Sequence, residues 1–444
     1  MRLAVFTNKY PARVATFFER DMRGLLEAGV EVEIFTIYPL DADCWPYALD
    51  LLSEDVLPRD RVHHLSIPAA LAEAARLPAY RIARAAGDAA VITAAAARYG
   101  PETLAKSAYV LPKAWAWAHR HTDRFDHVLG YWGNYAGTCA YAFHRLLGRE
   151  IPFSLWLHAG VDLYRTPVFM RQKLRYADSI ITCCGFNKKF LRKEFGDLGP
   201  EMLDKVRVCY HGLNLADFPF APEGRPARRV IAVGRLVPQK GFDYLLQAAR
   251  LLRDRGQTVE VEFVGDGEDR QALEAMAARL GIAEQVTFRG WLPFSGVRDA
   301  MSAATVLVHS SGGLGDGLPN VLREAMALGT PVIASDVAGI PEALDRGRCG
   351  VLVPPRDIEA LAGAIATVLD DRELRHRLAH FGRAHTERWF DLWRNGAWLA
   401  EHLRGVSRRD GGQCEHVLAE DGVPDETTVS ATDATPIPTG ALPA

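Results

Sequence analysis

Apolar positions along the chain fall into two rhythms. Short apolar runs at residues 3–7, 32–37, 127–130, 153–157, 179–184 and 206–210 predict β-strands. Residues 17–28 instead repeat their apolar positions at helical spacing, so strand, helix and strand within the first 37 residues predict a βαβ opening. From residue 51 to 120 the chain is rich in Ala, Leu and Arg and reads as several helices broken at Pro68, Pro78, Pro101 and Pro112. A Gly- and Pro-rich loop, HGLNLADFPFAPEGRPARR (211–229), then interrupts the pattern. The rhythm resumes with a strand from Val230, a helix from about Phe242, a strand at 306–308, a helix from about Pro319 and a strand at 332–334. Helices at 358–369 and 390–405 close it. Alternating elements of this kind predict an α/β protein with parallel sheets, split into two domains at the loop.

A chain of 444 residues is too long for one ordinary core, and 48% hydrophobic with 24% charged residues is an ordinary globular balance. The seven cysteines include no C-x-x-C pair and no histidine at metal spacing, which points to reduced thiols and no metal centre. The apolar start, MRLAVFT, is too short for a signal peptide, and no uninterrupted apolar run reaches about 18 residues. A cytoplasmic protein is expected. Seven acidic and no basic residues follow from Asp410, so the net charge of −3 leaves +4 elsewhere, too little to argue for nucleic acid. Residues 408–444 lack periodicity and are expected to be disordered.

Chemistry concentrates in residues 310–335, SSGGLGDGLPNVLREAMALGTPVIAS. Glycines cluster before a helix that opens on Pro319, a residue suited to the first helical turn. Free N–H groups and the positive dipole end there make an anion site, flanked by Asp316 and Glu324. A structural turn with solvated carboxylates is the plainer reading of the same residues. Arg235 and Lys240 stand at the mouth of a βα unit and suit a diphosphate, or are solvated surface charge. His158 ends a strand where parallel sheets bind ligands, with Asp162 as neighbour, or is structural. Lys188, Lys189, Arg192 and Lys193 share a helix face that is either solvated or in contact with anionic lipid headgroups. The Ala/Arg-rich residues 69–98 either pack on neighbouring helices or lie on a membrane surface.

From Gly317 through Ser335 the string resembles the donor-site signature of the retaining, family-4 glycosyltransferases of the GT-B fold, E-G-x-P-x-x-x-x-E-A-M-A-x-G-x-P-V-I-A-S. Asp316 stands for its first Glu, one methylene shorter. GRLVPQKG (234–241) resembles the family's G-R-L-x-x-x-K-G, HAGVDLY (158–164) its H-A-x-D-I-Y, and residues 211–218 its N-G-V-D-x-x-x-F. The opening resembles F-P-x-x-S-E-T-F of the colanic-acid and exopolysaccharide type, with Val14 and Ala15 for Ser and Glu. Tyr131 replaces the histidine of an H-F-G motif.

The resemblance covers about residues 1–405 and implies a GT-B fold of two facing Rossmann-like domains with parallel sheets and a C-terminal helix crossing back to the first. It divides the chain into an acceptor-side domain (1–212, with a helical insertion at about 51–120), a donor-binding domain (213–389) and a crossover helix (390–407). It implies transfer of a sugar from a nucleotide-diphosphate sugar to a hydroxyl of a glycan or lipid-linked acceptor, with retention, in polysaccharide biosynthesis. Arg235 and Lys240 would bind the diphosphate, Glu324 the ribose and Asp316 the sugar hydroxyls at carbons 3 and 4. Backbone groups from Gly317, Leu318, Asn320 and Val321, around Pro319, would hold sugar and phosphate, and His158 would orient the sugar at carbon 6. No metal or other cofactor is expected, the leaving charge falling to Arg235, Lys240 and backbone amides. A nucleotide-sugar hydrolase and a non-catalytic sugar-nucleotide-binding partner are the other readings.

Overall fold

In the computed structural model, which describes residues 1–12, 16–39, 52–53, 55–148, 150–315 and 317–406, every strand pairs in parallel with its neighbours. Val14, Ala15, Asp316 and residues 408–444 lie outside the described residues. The first sheet holds β1 (Arg2–Thr7), β2 (Glu31–Thr36), β3 (Val62–His63), β4 (His127–Gly130), β5 (Phe153–Leu157), β6 (Ser179–Thr182) and β7 (Val206–Val208). Its order is β3-β2-β1-β4-β5-β6-β7. The second holds β8 (Arg229–Val233), β9 (Glu260–Val264), β10 (Val286–Phe288), β11 (Val306–His309), β12 (Val332–Ser335) and β13 (Val351–Val353), in the order β10-β9-β8-β11-β12-β13. Both are Rossmann-like orders, which reverse beside the first strand and open a crevice at the carboxyl ends there. Helices cover both faces, so central strands such as β4, β5 and β12 are buried along their whole length and read as near-continuous apolar runs.

The helical stretch before β4 consists of the helices Ile67–Ala74, Ala79–Ala97 and Pro101–Arg120. Pro68, Pro78 and Pro101 sit where these helices begin. Pro112 does not break the chain as expected; it lies inside the third helix. An interior proline costs about 3 kcal/mol, a loss offset here by the buried flank of Val110, Leu111, Ala114 and Trp117. The periodic reading also overlooked β3, whose two residues pair with β2.

The last helix, Leu392–Gly405, starts on Asp391, whose carboxylate accepts from Arg394 N at 2.8 Å. It packs on the helix Thr16–Glu27 of the first sheet's layer, and a Cβ placed on Gly396 would lie 2.6 Å from Gly24 Cα. Further along, Leu403 O meets His127 Nδ1 at 3.1 Å and His402 Nε2 meets Ser179 Oγ at 2.7 Å. The chain therefore passes between the two sheets twice. The crossings are bonded side by side: Leu213 N donates to Phe390 O at 2.7 Å and Leu392 N to Leu213 O at 3.0 Å.

Candidate active site

On the second domain's side, β8 runs out into Arg235, and a single 3-10 turn, Pro238–Lys240, leads to Gly241. Gly241 is left-handed (φ 63°), and a Cβ there would sit 2.1 Å from Ser310 O. Only glycine lets this turn touch the loop after β11. Ser310 Oγ then donates to Gly241 O at 2.7 Å and Ser311 Oγ to Gln239 O at 3.0 Å, which fuses the two motifs into one wall. Lys240 folds back so that its Cε lies 3.4 Å from the Cβ position of Gly234. Arg235, Gln239, Gly267 and the exposed indole of Trp291 line an open pocket of about 520 Å³. Beside this wall, Leu318 is buried and the helix Asn320–Leu328 begins after Pro319 with no side-chain cap on its first N–H groups.

On the first domain's side, His158 ends β5 and is buried among rings, with centroids 4.4 Å from Trp132, 4.7 Å from Tyr131 and 5.1 Å from His211. Among the described residues, neither of its ring nitrogens has a hydrogen-bond partner. Burial first, and the neighbouring His211 second, hold it well below the usual histidine range, so it is a neutral imidazole with one donor and one acceptor to offer. Asp162 is close but serves the backbone instead of the ring. Its carboxylate accepts from His158 N at 2.9 Å and Asn134 N at 2.8 Å, while the ring stays 3.9 Å away. Burial raises Asp162 to about 6 and lowers the adjacent Lys173 to about 7. Lys173 Nζ donates to Asn134 O at 3.1 Å and Thr138 Oγ1 at 3.0 Å, pinning the loop after β4.

The two walls meet at glycines. A Cβ on Gly317 would stand 2.9 Å from Ala159 Cβ, and one on Gly160 would stand 3.1 Å from Gly315 O. With the Gln239 amide oxygen turned toward it, Arg165 donates through both terminal nitrogens at 3.1 Å, which brings a first-domain cation into the pocket of Arg235. Glu342 accepts from Gly185 N at 2.7 Å and Phe186 N at 3.1 Å, a second-domain carboxylate on the first turn of the helix Gly185–Phe195.

Glu324 departs from the expectation of a carboxylate open to a ligand along its helix. It is buried, and its Oε1 accepts from Arg20 Nη1 at 2.8 Å across the cleft. Arg20 is itself buried, its guanidinium 5.6 Å from the Phe218 ring and 5.4 Å from the Phe294 ring. Beside it, Asp21 Oδ2 accepts from His211 Nδ1 at 2.6 Å and also from the Tyr131 hydroxyl. Burial pulls His211 down, but the Asp21 carboxylate outweighs it and lifts the imidazolium to about 9. Arg323, fully buried, donates to His211 O and to Asn320 Oδ1. Arg20, Asp21, His211 and Arg165 were not singled out from the sequence. The one usable signal was His211, a histidine where the resembled motif has asparagine. Among the described residues, one further group of ligating side chains, Asp345, Cys349 and His385, has its ligand atoms within 4.8 Å of one another, on residues apart from those lining this cleft.

Residues 219–385 match the family model of group 1 glycosyl transferases. Alpha-D-kanosaminyltransferase of Streptomyces kanamyceticus is 33% identical over 150 residues, 34% of this chain and 38% of that protein. The GDP-mannose-dependent alpha-(1-6)-phosphatidylinositol monomannoside mannosyltransferase of Mycolicibacterium smegmatis is 35% identical over 192 residues, 41% of this chain and 49% of that one. The chain thus spans less than half the length of these two relatives. Sucrose-phosphate synthase from Thermosynechococcus elongatus superposes with a TM-score of 0.69 at 20% identity, covering 91% of this chain and 98% of the other, a likeness of fold. The family match is confined to residues 219–385, and the two facing Rossmann-like sheets together with this superposition give the chain the GT-B fold.

Proposed function

We infer that the chain transfers a sugar from a nucleotide-diphosphate sugar to a hydroxyl of a glycan or lipid-linked acceptor, with retention of configuration. The observation that carries this reading is His158, buried with both ring nitrogens unpartnered among the described residues, next to the strand end where Ala159 and Gly160 meet the glycine loop of the donor wall. A buried polar ring with no partner is costly unless a ligand completes it. A sugar held at that loop would do so.

In this scheme Arg235 and Lys240 bind the diphosphate, and Trp291, which lines the same pocket as Arg235, offers a face for the base. The uncapped N–H groups of the helix Asn320–Leu328, with Gly317 and Leu318 ahead of it, take the sugar and phosphate oxygens. Glu324 has one oxygen held by Arg20, and its other oxygen is assigned to the ribose. Asp316 is assigned to the sugar hydroxyls at carbons 3 and 4. The acceptor hydroxyl attacks the anomeric carbon from the face the diphosphate leaves, through an oxocarbenium-like state. The C–O bond to phosphate breaks as the new one forms, and the departing phosphate takes the acceptor's proton. Neutral His158 positions the sugar at carbon 6 and stabilises the developing charge without itself titrating. Neutralisation of the leaving group rests on Arg235, Lys240 and the helix amides, so no metal is assigned. The narrower likeness to colanic-acid and exopolysaccharide enzymes, and with it a role in polysaccharide biosynthesis, is carried by the opening motif alone.

The test is a thermal-shift screen of UDP-, GDP- and ADP-sugars on wild type and on Arg235→Ala/Lys240→Ala, paired with turnover by His158→Ala. Donor at a hundredfold over its dissociation constant stabilises by about 2.7 kcal/mol. One nucleotide class should shift the wild type and not the double variant, and His158→Ala should bind that donor while losing turnover about a hundredfold or more. No shift with any nucleotide overturns the donor site. Donor consumed without an acceptor identifies a hydrolase, and binding without turnover a non-catalytic partner.

A further inference from the structure

We propose that the outward face of the helix Ala79–Ala97, with Leu71 before it and Tyr99 after it, docks on an anionic lipid bilayer. This goes beyond the transfer reaction and does not depend on it. Among the described residues nine large hydrophobic side chains are exposed, and five of them, Leu71, Tyr80, Ile82, Val91 and Tyr99, fall in this one stretch at 44% to 71% exposure. The helix buries only a narrow stripe, Ala85, Asp88, Ile92 and Ala96, against its neighbours. Between Ile82 and Val91 the exposed positions are Ala83, Arg84, Ala86, Gly87 and Ala90, so apart from Arg84 the exposed surface of this helix, about 28 Å long, is apolar. Contiguous apolar surface of this kind marks an interaction site.

Charge identifies the occupant. The only acidic residue of the helix, Asp88, points inward and is held by Arg145, whose Nη2 lies 3.2 Å from Oδ1. What remains outside beside the apolar side chains is mostly cationic: Arg84, whose Nη1 also donates to Arg145 O at 3.2 Å, and, just past the helix, Arg98, while the exposed Glu102 carboxylate beyond it is paired with Lys106. An apolar face edged by arginines and ended by tyrosines is the pattern of a helix lying in the headgroup layer, where anionic lipid meets the guanidinium groups. The face also has a direction. Its Tyr99 end leads into the helix Pro101–Arg120, where Lys106 Nζ stands 5.9 Å from the ring centroid of Tyr135, the first residue of the helix that follows β4. The apolar face therefore runs up to the carboxyl-end side of the first sheet, where the cleft opens. Among the described residues no helix is long and apolar enough to cross a membrane.

The experiment is co-flotation of the full chain with phosphatidylcholine vesicles, with and without phosphatidylglycerol. Wild type, Ile82→Glu/Val91→Glu and Arg84→Glu/Arg98→Glu are compared, each checked for an unchanged melting temperature. Wild type should float with the anionic vesicles, less so at high salt, and each variant should bind about tenfold more weakly. Absence of flotation, flotation indifferent to phosphatidylglycerol, or variants that float like wild type overturns the proposal. A wild-type dimer in light scattering that Ile82→Glu/Val91→Glu dissolves assigns the face to a second copy and also overturns it. Nucleotide-sugar binding, measured without vesicles, should be equal in all three proteins, so failure here is separate from failure of the transfer reading.

Discussion

The imidazole rings of His158 and His211 lie parallel, with planes 2° apart and centroids 5.1 Å apart. One is neutral and the other is a cation, because Asp21 pairs with His211 and nothing comparable pairs with His158. The stack gives two chemically identical side chains different protonation states, by the same logic that separates paired titratable groups in active sites.

That arrangement predicts a pH dependence. His211 is raised in the folded protein from 6.5 to about 9, so the stability it contributes is full below about pH 6.5 and is lost as pH rises through about 9. The contribution is at most about 3 kcal/mol. The melting temperature of wild type should exceed that of His211→Asn below pH 6.5, and the gap between the two should close as pH rises through about 9, other titrations such as that of Lys173 being common to both. Parallel curves for the two proteins would refute the pairing.

Arg20 and Glu324 form a buried ion pair between the first-sheet and second-sheet layers. Removing one partner strands the other charge, at a cost of about 3–5 kcal/mol, while removing both restores part of the loss. Arg20→Met and Glu324→Gln should each lower the melting temperature strongly, and the double variant should fall well short of their sum. Strict additivity would show that the two residues act independently.

The crossing of the helices Thr16–Glu27 and Leu392–Gly405 rests on two facing glycines. Gly396→Ala puts a methyl 2.6 Å from backbone that cannot rotate away, and should cost about 1–3 kcal/mol. Gly363→Ala is the control. It lies inside the helix Ile358–Asp370, a Cβ there meets nothing within 4 Å, and the change should stabilise by about 0.5–1 kcal/mol. Thermal melts of both variants in one buffer decide the matter.

Local signals in the chain were strong where chemistry is local. The run from Val306 to Ser335 carries its strands, turn and helix within one stretch, and the structure sets them as read, with Pro319 just ahead of the helix. Arg235 and His158 likewise sit just past strand ends that the apolar pattern locates, and Lys240 lies on the turn that follows β8. Arg20 and Asp21 were illegible for the opposite reason. On an amphipathic helix they look like a solvated face, and their partners, Glu324 and His211, stand 304 and 190 residues away. Nothing in a helical period reports contacts at that separation. Glu324 illustrates the mixed case: its place on the helix was readable, and its burial under Arg20 was not. Pro112 shows how tertiary burial overrides a local rule, since the helix that carries it gains more from its packed flank than the missing hydrogen bond removes.

The paired crossings at Leu213 and Phe390–Leu392 have a mechanical consequence. Two bodies tied by a single strand can twist and slide in any sense. Tied by two strands bonded together at one point, they keep one easy freedom, a swing about the line through that point, like the jaws of a clothes-peg about its spring. His211 lies two residues before Leu213 on one of these ties, its carbonyl held by Arg323 of the second domain and its ring by Asp21 of the first. A swing of either jaw would therefore strain both bonds of His211 at once.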